Sequence, residues 1–371
     1  MKKITYVYGF GRERKIEDAT NYSSDFLYGY DYFLSKNYQV KFISASINGN
    51  IILKIIEKVL RRLTKLPFYL SNYINWKNIK IIFSSDILVL TNDTIALSLL
   101  PLLKIHQIFK KGKILIIVMG LFAKPKPNKG IKFIQIYLIK RILNVSYKLI
   151  FLGKKEKELA VEQFPKYENK LSYIPFSIDT KFWKKTQANI KYDIIFVGND
   201  GNRDYKFLIQ LIKKLNDLRF LIISSNNILN EHFSENKYDS VDYVKGSLSN
   251  LEISDLELRD LYSSSSISIV PLNDTIQPSG QSVSLQSLSL GIPVVISSTN
   301  GNWFHGEEIN KKYLNLTQNN NLAEWEENIR KILLDKDFYI NNNDIENFME
   351  ERFDNIIFNK KLDSIIFYKQ G

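Results

Sequence analysis

The sequence contains no cysteine, and only three histidines and three methionines, in 371 residues. Without cysteine there are no disulfides and no thiolate metal sites, a composition that fits the cytoplasm. His106, His232 and His305 lie far apart along the chain, which argues against a histidine metal centre. No apolar run reaches the ~20 residues that span a bilayer. The first residues run directly into a strand pattern, so neither a transmembrane helix nor a signal peptide is expected.

Acidic charge is scarce in one half only. Residues 1–175 carry 30 Lys and Arg against 12 Asp and Glu, whereas residues 176–371 carry 21 against 27. Basic surface of this kind suits nucleic acid, anionic lipid or phosphorylated ligands. No nucleic-acid recognition motif accompanies the charge, so nucleic acid is not an expected partner. A hydrophobic content of 44% with 13% aromatics is ample for two cores, and the length suggests two domains.

Strand and helix patterns alternate throughout. Strand-like runs are "KKITYVYGF" (2–10), "YQVKFIS", "KIIFSSDILVL", "KILIIVMG", "YKLIFLG" and "LSYIPF". Helical patterns occupy "SSDFLYGYDYFLSK" and "TIALSLLPLLKIHQIFKK" between them. The rhythm restarts with strands at 192–198, 219–225, 241–246, 267–272 and 292–298, and helices near 204–216, 254–264 and 281–290. Such alternation implies βαβ units and parallel sheets covered on both faces. The expected architecture is α/β: two Rossmann-like domains with parallel sheets facing across a cleft. The boundaries read as 1–175, 176–345, and a C-terminal helix at 346–371 that crosses back to the first domain. Ligands in such sheets bind outside the carboxyl ends of the strands.

Two loops in the second half carry the chemistry. In "FVGNDGNRDYKFLIQLI" (196–212), Gly198 permits close backbone approach, Asn199 opens a polar loop, and Arg203 and Lys206 flank a helix start. Cations beside a helix N-terminus hold phosphate. A plain βα turn with solvated charges accounts for the same pattern. In "QPSGQSVSLQSLSLGIPVVIS" (277–297), Ser279, Gly280, Gln281 and Ser282 begin a second helix whose N–H groups point at an anion. Ser282 and Gln286 share a face and suit ribose hydroxyls. Two such helix starts suggest a diphosphate held from two sides.

These segments, with "YIPFSIDTKFW" and "VDYVKGSLSN…LRDLYSSSSISIVPL", resemble the nucleotide-sugar-binding domain of GT-B glycosyltransferases, in particular the retaining GT4-like group. The similarity keeps its order over roughly residues 173–300. The resemblance implies phosphate clamping by Arg203 and Lys206, and base contacts near Gly246, Ser247 and Leu248. Of the family's two glutamates, one falls on Pro278, and the ribose-binding one falls on Gln286. Gln281 and Ser282 are left to contact the donor. The first half would bind the acceptor through its glycine loop Gly9, Gly11 and Arg12. The histidine often found after the fourth strand has no counterpart in "VMGLFAKPKP". Asp25, Asp86 and Asp93 stand at strand ends, and Asp93 or Asp25 is the expected proton acceptor of an inverting reaction. An Asp in "TNDT" equally caps a helix. In a retaining reaction the departing diphosphate can take the proton itself.

The implied function is transfer of a sugar from a nucleoside-diphosphate sugar to a saccharide or lipid-linked saccharide, in cell-surface polysaccharide or glycolipid synthesis. No metal or other cofactor is expected, because the cleft loops lack the Asp-x-Asp pair that holds a divalent ion in GT-A enzymes. A degenerate nucleotide- or partner-binding protein and a sugar-nucleotide epimerase are the alternatives. Residues 51–76 place Lys54, Lys58, Arg61, Arg62 and Lys65 among apolar residues at helical spacing, followed by Tyr69, Tyr73 and Trp76. This stretch, and more weakly 124–144, reads as an interfacial contact with an anionic membrane, consistent with a peripheral position on its cytoplasmic face.

Overall fold

The computed structural model describes residues 2–47, 49–123, 128–186, 188–246, 253–304, 306, 313–318, 320–335 and 343–367. The chain divides into two compact units. The first holds residues 1–13, 26–175 and 358–371, and the second holds 14–25 and 176–357. The sequence boundary at 175 is thus crossed twice. A short N-terminal stretch belongs to the second unit, and the tail changes units at residue 358 rather than 346.

The first half of the chain comprises Lys3–Tyr8 (β1), Arg12–Glu17 (α1), Tyr30–Ser35 (α2), Gln39–Ser44 (β2), Ile51–Thr64 (α3), Trp76–Ser84 (α4) and Ile87–Leu90 (β3). It continues through Asp93–Lys110 (α5), Lys113–Val118 (β4), Lys129–Val145 (α6), Lys148–Phe151 (β5), Lys154–Gln163 (α7) and Leu171–Tyr173 (β6). Its sheet is parallel, in the order β2-β1-β3-β4-β5-β6. Leu88, Leu115, Ile116 and Leu149 on neighbouring strands are all fully buried, as expected when helices cover both faces.

The second half comprises Tyr192–Val197 (β7), Tyr205–Lys214 (α8), Phe220–Ile223 (β8), Asn227–Glu235 (α9), Val241–Val244 (β9), Asp255–Ser263 (α10) and Ser265–Val270 (β10). After these come Gln281–Ser289 (α11), Val294–Ser297 (β11), Leu314–Thr317 (β12), Leu322–Leu334 (α12), Asn343–Phe353 (α13) and Asn355–Phe367 (α14). The second sheet is also parallel, in the order β12-β11-β10-β7-β8-β9.

Several elements differ from their sequence patterns. "KIIFS" is the end of α4 and not part of a strand. Asn75 caps that helix by accepting from the Asn78 N–H at 2.8 Å, and a short apolar run cannot reveal this by periodicity. The helix expected over "SSDFLYGYDYFLSK" is confined to α2. Phe26, Tyr28 and Gly29 have positive φ (66°, 51° and 92°), which breaks any helix before Tyr30. The tail is two helices rather than one. At their junction Asp354 accepts from the Thr180 hydroxyl, and α14 continues in the first unit. There the Asp363 carboxylate accepts from Tyr32 Oη at 3.0 Å and Lys36 Nζ at 2.6 Å.

Candidate functional site

In each sheet the strand order reverses at one place, between β1 and β3 in the first unit and between β7 and β10 in the second. Loops leaving the carboxyl ends of two such strands diverge and open a crevice. The loop after β7 is 198–204 and the loop after β10 is 271–280, the two stretches singled out in the sequence.

These two loops are stitched together. The Asp204 N–H donates to Pro271 O at 3.1 Å, and the Asn273 N–H donates to Asn202 O at 2.8 Å. Asn273 Nδ2 donates to Arg203 O at 3.0 Å, and Asn202 Nδ2 to Ser279 Oγ at 2.8 Å. Asn199 ties in the neighbouring strands: its Nδ2 donates to Gly246 O at 2.8 Å, while its Oδ1 accepts from Ser224 Oγ at 3.0 Å. The result is a cross-linked rim at the switch point.

Arg203 lies in the middle of that rim and is 4% exposed. Its Nη2 reaches Asp200 at 3.4 Å, but Nε and Nη1 are buried without a hydrogen-bond partner. A buried guanidinium donor left unmatched is costly and therefore uncommon. Two glycines make room for it. A Cβ on Gly198 would meet Nε at 2.5 Å, and one on Gly280 would meet Nη1 at 3.3 Å. Gly280 is the N-cap of α11, with φ 77°, and supplies no side chain to cap the first turn. An unmatched cation and the positive end of a helix therefore lie side by side, and both favour an anion. Lys206, in the first turn of α8, is exposed.

The other expected donor contacts are arranged differently. Gln281 is buried and Ser282 half-buried at the start of α11. Gln286 does not present its amide to a ligand: it is 5% exposed, and its Nε2 donates to Asp25 Oδ2 at 3.0 Å. The physical reason is that α11 is enclosed almost all round, so its polar side chains serve internal partners. Ser287 Oγ donates to Val283 O at 2.8 Å and Ser289 Oγ to Trp183 O at 2.6 Å. Ser247 and Leu248 lie outside the described residues, as does His305.

The two candidate proton acceptors are structural acceptors in this arrangement. Asp25 is completely buried and receives the Trp183 indole N–H at 2.7 Å and the Asp179 N–H at 2.7 Å, besides Gln286. Burial pushes its carboxyl up to about 6, against the pull of Lys15. Asp93 is 3% exposed and accepts from the Met119 N–H at 2.9 Å, joining the ends of β3 and β4. Asn92, not Asp93, caps α5, through the Ile95 N–H at 2.8 Å. Asp86 accepts from the Lys3 N–H at 2.8 Å at the opposite, amino end of β3.

At the first unit's switch point the loop after β1 carries Gly9 and Gly11, the latter with φ 81°, and the Arg12 guanidinium lies 4.6 Å from the Phe26 ring centre. Glu156, which the sequence did not mark, is fully buried and accepts from the Gly120 and Phe122 N–H groups at 3.1 and 3.0 Å. It shapes the loop after β4. His106 is a core residue: its Nε2 is 3.0 Å from Ser85 O, and burial lowers its pKa.

No protein-family model matches the chain, and no curated protein matches it in sequence. Solved structures do match it along its full length. HepE from Anabaena, solved in complex with UDP and glucose, superimposes with a TM-score of 0.66 at 11% identity, covering 100% of both chains. Sucrose-phosphate synthase from Thermosynechococcus elongatus gives 0.67 at 12% identity over 98% of each chain. A glycosyltransferase from Rickettsia africae gives 0.64 at 14% identity over 99% of each. With its two six-stranded parallel sheets, the chain has the GT-B fold that these glycosyltransferases share.

Proposed function

We propose that the protein is a glycosyltransferase, a divergent relative of the GT4-like group, that takes its sugar from a nucleoside diphosphate. The observation that carries this reading is Arg203, whose buried Nε and Nη1 have no partner beside the uncapped start of α11. A diphosphate supplies the acceptor oxygens that these donors lack. The occurrence of UDP and UDP-glucose in HepE structures of the same fold supports a nucleotide-sugar donor.

Catalysis follows from the same arrangement. As the bond between sugar and phosphate breaks, negative charge builds on the leaving diphosphate. Donors already fixed in a buried setting stabilise that charge without reorganising. Arg203 and the α11 N-terminus meet it, with Lys206 at the rim, and no metal ion is called for. Because Asp25 and Asp93 are held by donors of the protein, the acceptor hydroxyl's proton passes to the departing phosphate. The acceptor is a saccharide or lipid-linked saccharide bound by the first unit near Gly9, Gly11 and Arg12, in cell-surface polysaccharide or glycolipid synthesis.

A protein that binds nucleotide without turnover is the second reading, favoured by Pro278 and Gln286 at the family's glutamate positions. Calorimetric titration of UDP, GDP and ADP, with and without EDTA, tests the first. One nucleotide should bind regardless of EDTA, and Arg203→Ala should weaken it by roughly tenfold to a hundredfold. Failure of all three to bind would remove the proposal. Binding without sugar release from any matching nucleotide sugar would favour the second reading.

A further inference from the structure

Helix α3 is built inside out. The residues it buries are Glu57 and Thr64, with Arg61 half-covered. The Glu57 carboxylate accepts from both the N–H and the hydroxyl of Ser71. Arg61 donates to Phe68 O at 2.6 Å and lies 4.7 Å from the Tyr69 ring centre. Six of its eight apolar residues point the other way, while Leu53 is half-buried. Ile52 is 67% exposed, Ile55 61%, Val59 52% and Leu63 57%, with Ile51 and Ile56 beside them. At 3.6 residues per turn these six fall within an arc of roughly 140°. Lys58 lies just outside one edge of that arc and Arg62 just inside the same edge, and both are exposed.

An amphipathic helix of a water-soluble domain turns its apolar stripe to the core. Here a hydrogen-bonded glutamate takes the core side, and the stripe is left outside. The neighbouring helix also exposes apolar residues. Gln135 Nε2 of α6 donates to Thr64 O at 2.9 Å, so the two helices adjoin, and α6 exposes Phe133 and Tyr137. Trp76, at the start of α4, is also exposed. An exposed apolar stripe of six residues on one helix marks an interaction site.

The charge identifies the occupant. Acids are scarce in this half of the chain, and α3 has four cations against the single buried Glu57. A second copy of the chain would set the same cations against themselves, whereas an anionic lipid surface complements them. With 14 residues α3 is too short to cross a bilayer, and no helix among the described residues is long and apolar enough to do so. We propose that α3, with Phe133 and Tyr137 of α6, lies in the headgroup region of an anionic membrane, its isoleucines in the acyl boundary and Lys58 and Arg62 among the phosphates.

The test is co-sedimentation of the full chain with vesicles of 70% phosphatidylcholine and 30% phosphatidylglycerol, beside pure phosphatidylcholine. The wild type should bind the anionic vesicles, bind the neutral ones at least about tenfold less, and release as salt is raised. Lys58→Glu with Arg62→Glu, and separately Ile52→Ser with Ile55→Ser and Val59→Ser, should each cut binding by about tenfold or more. Both sets change exposed positions, so the melting temperature should hold. Equal binding by wild type and variants, or no binding to anionic vesicles, would overturn the proposal. So would a wild-type dimer in sedimentation velocity that the serine variant converts to monomer, because a second copy would then cover the stripe. No nucleotide enters the assay, so its outcome is independent of the donor site.

Discussion

Gly198 and Arg203 occupy one another's space: a Cβ on the glycine would lie 2.5 Å from Nε and 3.2 Å from Cδ of the arginine. The glycine is thus required by the side chain folded over it, five residues on. Gly198→Ala should therefore expel the guanidinium from its buried position. Nucleotide affinity should fall about as far as in Arg203→Ala, by tenfold or more. Calorimetry on the two variants checks this. Undiminished affinity in Gly198→Ala would mean that Arg203 does not bind from the position described.

Arg203 also carries a cost in the free protein. Two buried donors without partners disfavour the folded state by about 1–3 kcal/mol each, and the Asp200 contact at 3.4 Å offsets little of that. Arg203→Met keeps a similar length and removes the charge. The nucleotide-free variant should melt a few degrees higher than wild type, while the rise in melting temperature that the nucleotide gives wild type should vanish. A lower melting point for the variant would show that the guanidinium is satisfied in solution.

Asp25 gives a pH signature. Its folded-state pKa is raised to about 6 by burial, whereas an unfolded Asp titrates near 4. Between those values the folded chain holds a proton that the unfolded chain has released, so stability falls as pH rises. The contribution is present below about pH 4 and lost as pH passes through about 6, on the order of 3 kcal/mol in all. Denaturant titrations of wild type and Asp25→Asn across pH 4 to 7 should differ by that slope. Parallel curves would mean that Asp25 titrates normally.

Much of this was legible in the amino-acid sequence, for definite reasons. The buried strands read well because parallel sheets demand near-continuous apolar runs, as in "DIIFV" and "KILIIV". Gly198, Arg203 and Gly280 could be singled out because a loop, a cation and a helix start fell close together in sequence. What the sequence hid depends on distant pairing. Lys15 and Asp255 form a buried ion pair, and Ser23 Oγ donates to the same carboxylate at 2.7 Å. That cluster draws residues 14–25 into the second unit, and nothing local announces it. The polar face of α11 misled for the same reason. Ser and Gln on a helix imply ligand or solvent only when no buried carboxylate such as Asp25 stands opposite.

That last point separates two accounts of Gln286. If its amide faced ribose hydroxyls, Gln286→Glu would supply the glutamate that the resemblance to the GT4-like group implies there, and nucleotide affinity would hold or rise. In the structure the amide lies 3.0 Å from Asp25 Oδ2 instead. The substitution would set two carboxyl groups against each other in a site that excludes water. One of them must then stay protonated, and the apparent pKa of the pair rises. Gln286→Glu should therefore be destabilised at pH 8, by a few kcal/mol as in other broken buried networks, and should recover as pH falls toward 5. Combining it with Asp25→Asn should restore most of the loss, because the remaining carboxyl then faces an amide. A Gln286→Glu protein with wild-type stability at pH 8 and tighter nucleotide binding would return Gln286 to the ribose and leave Asp25 without its third donor.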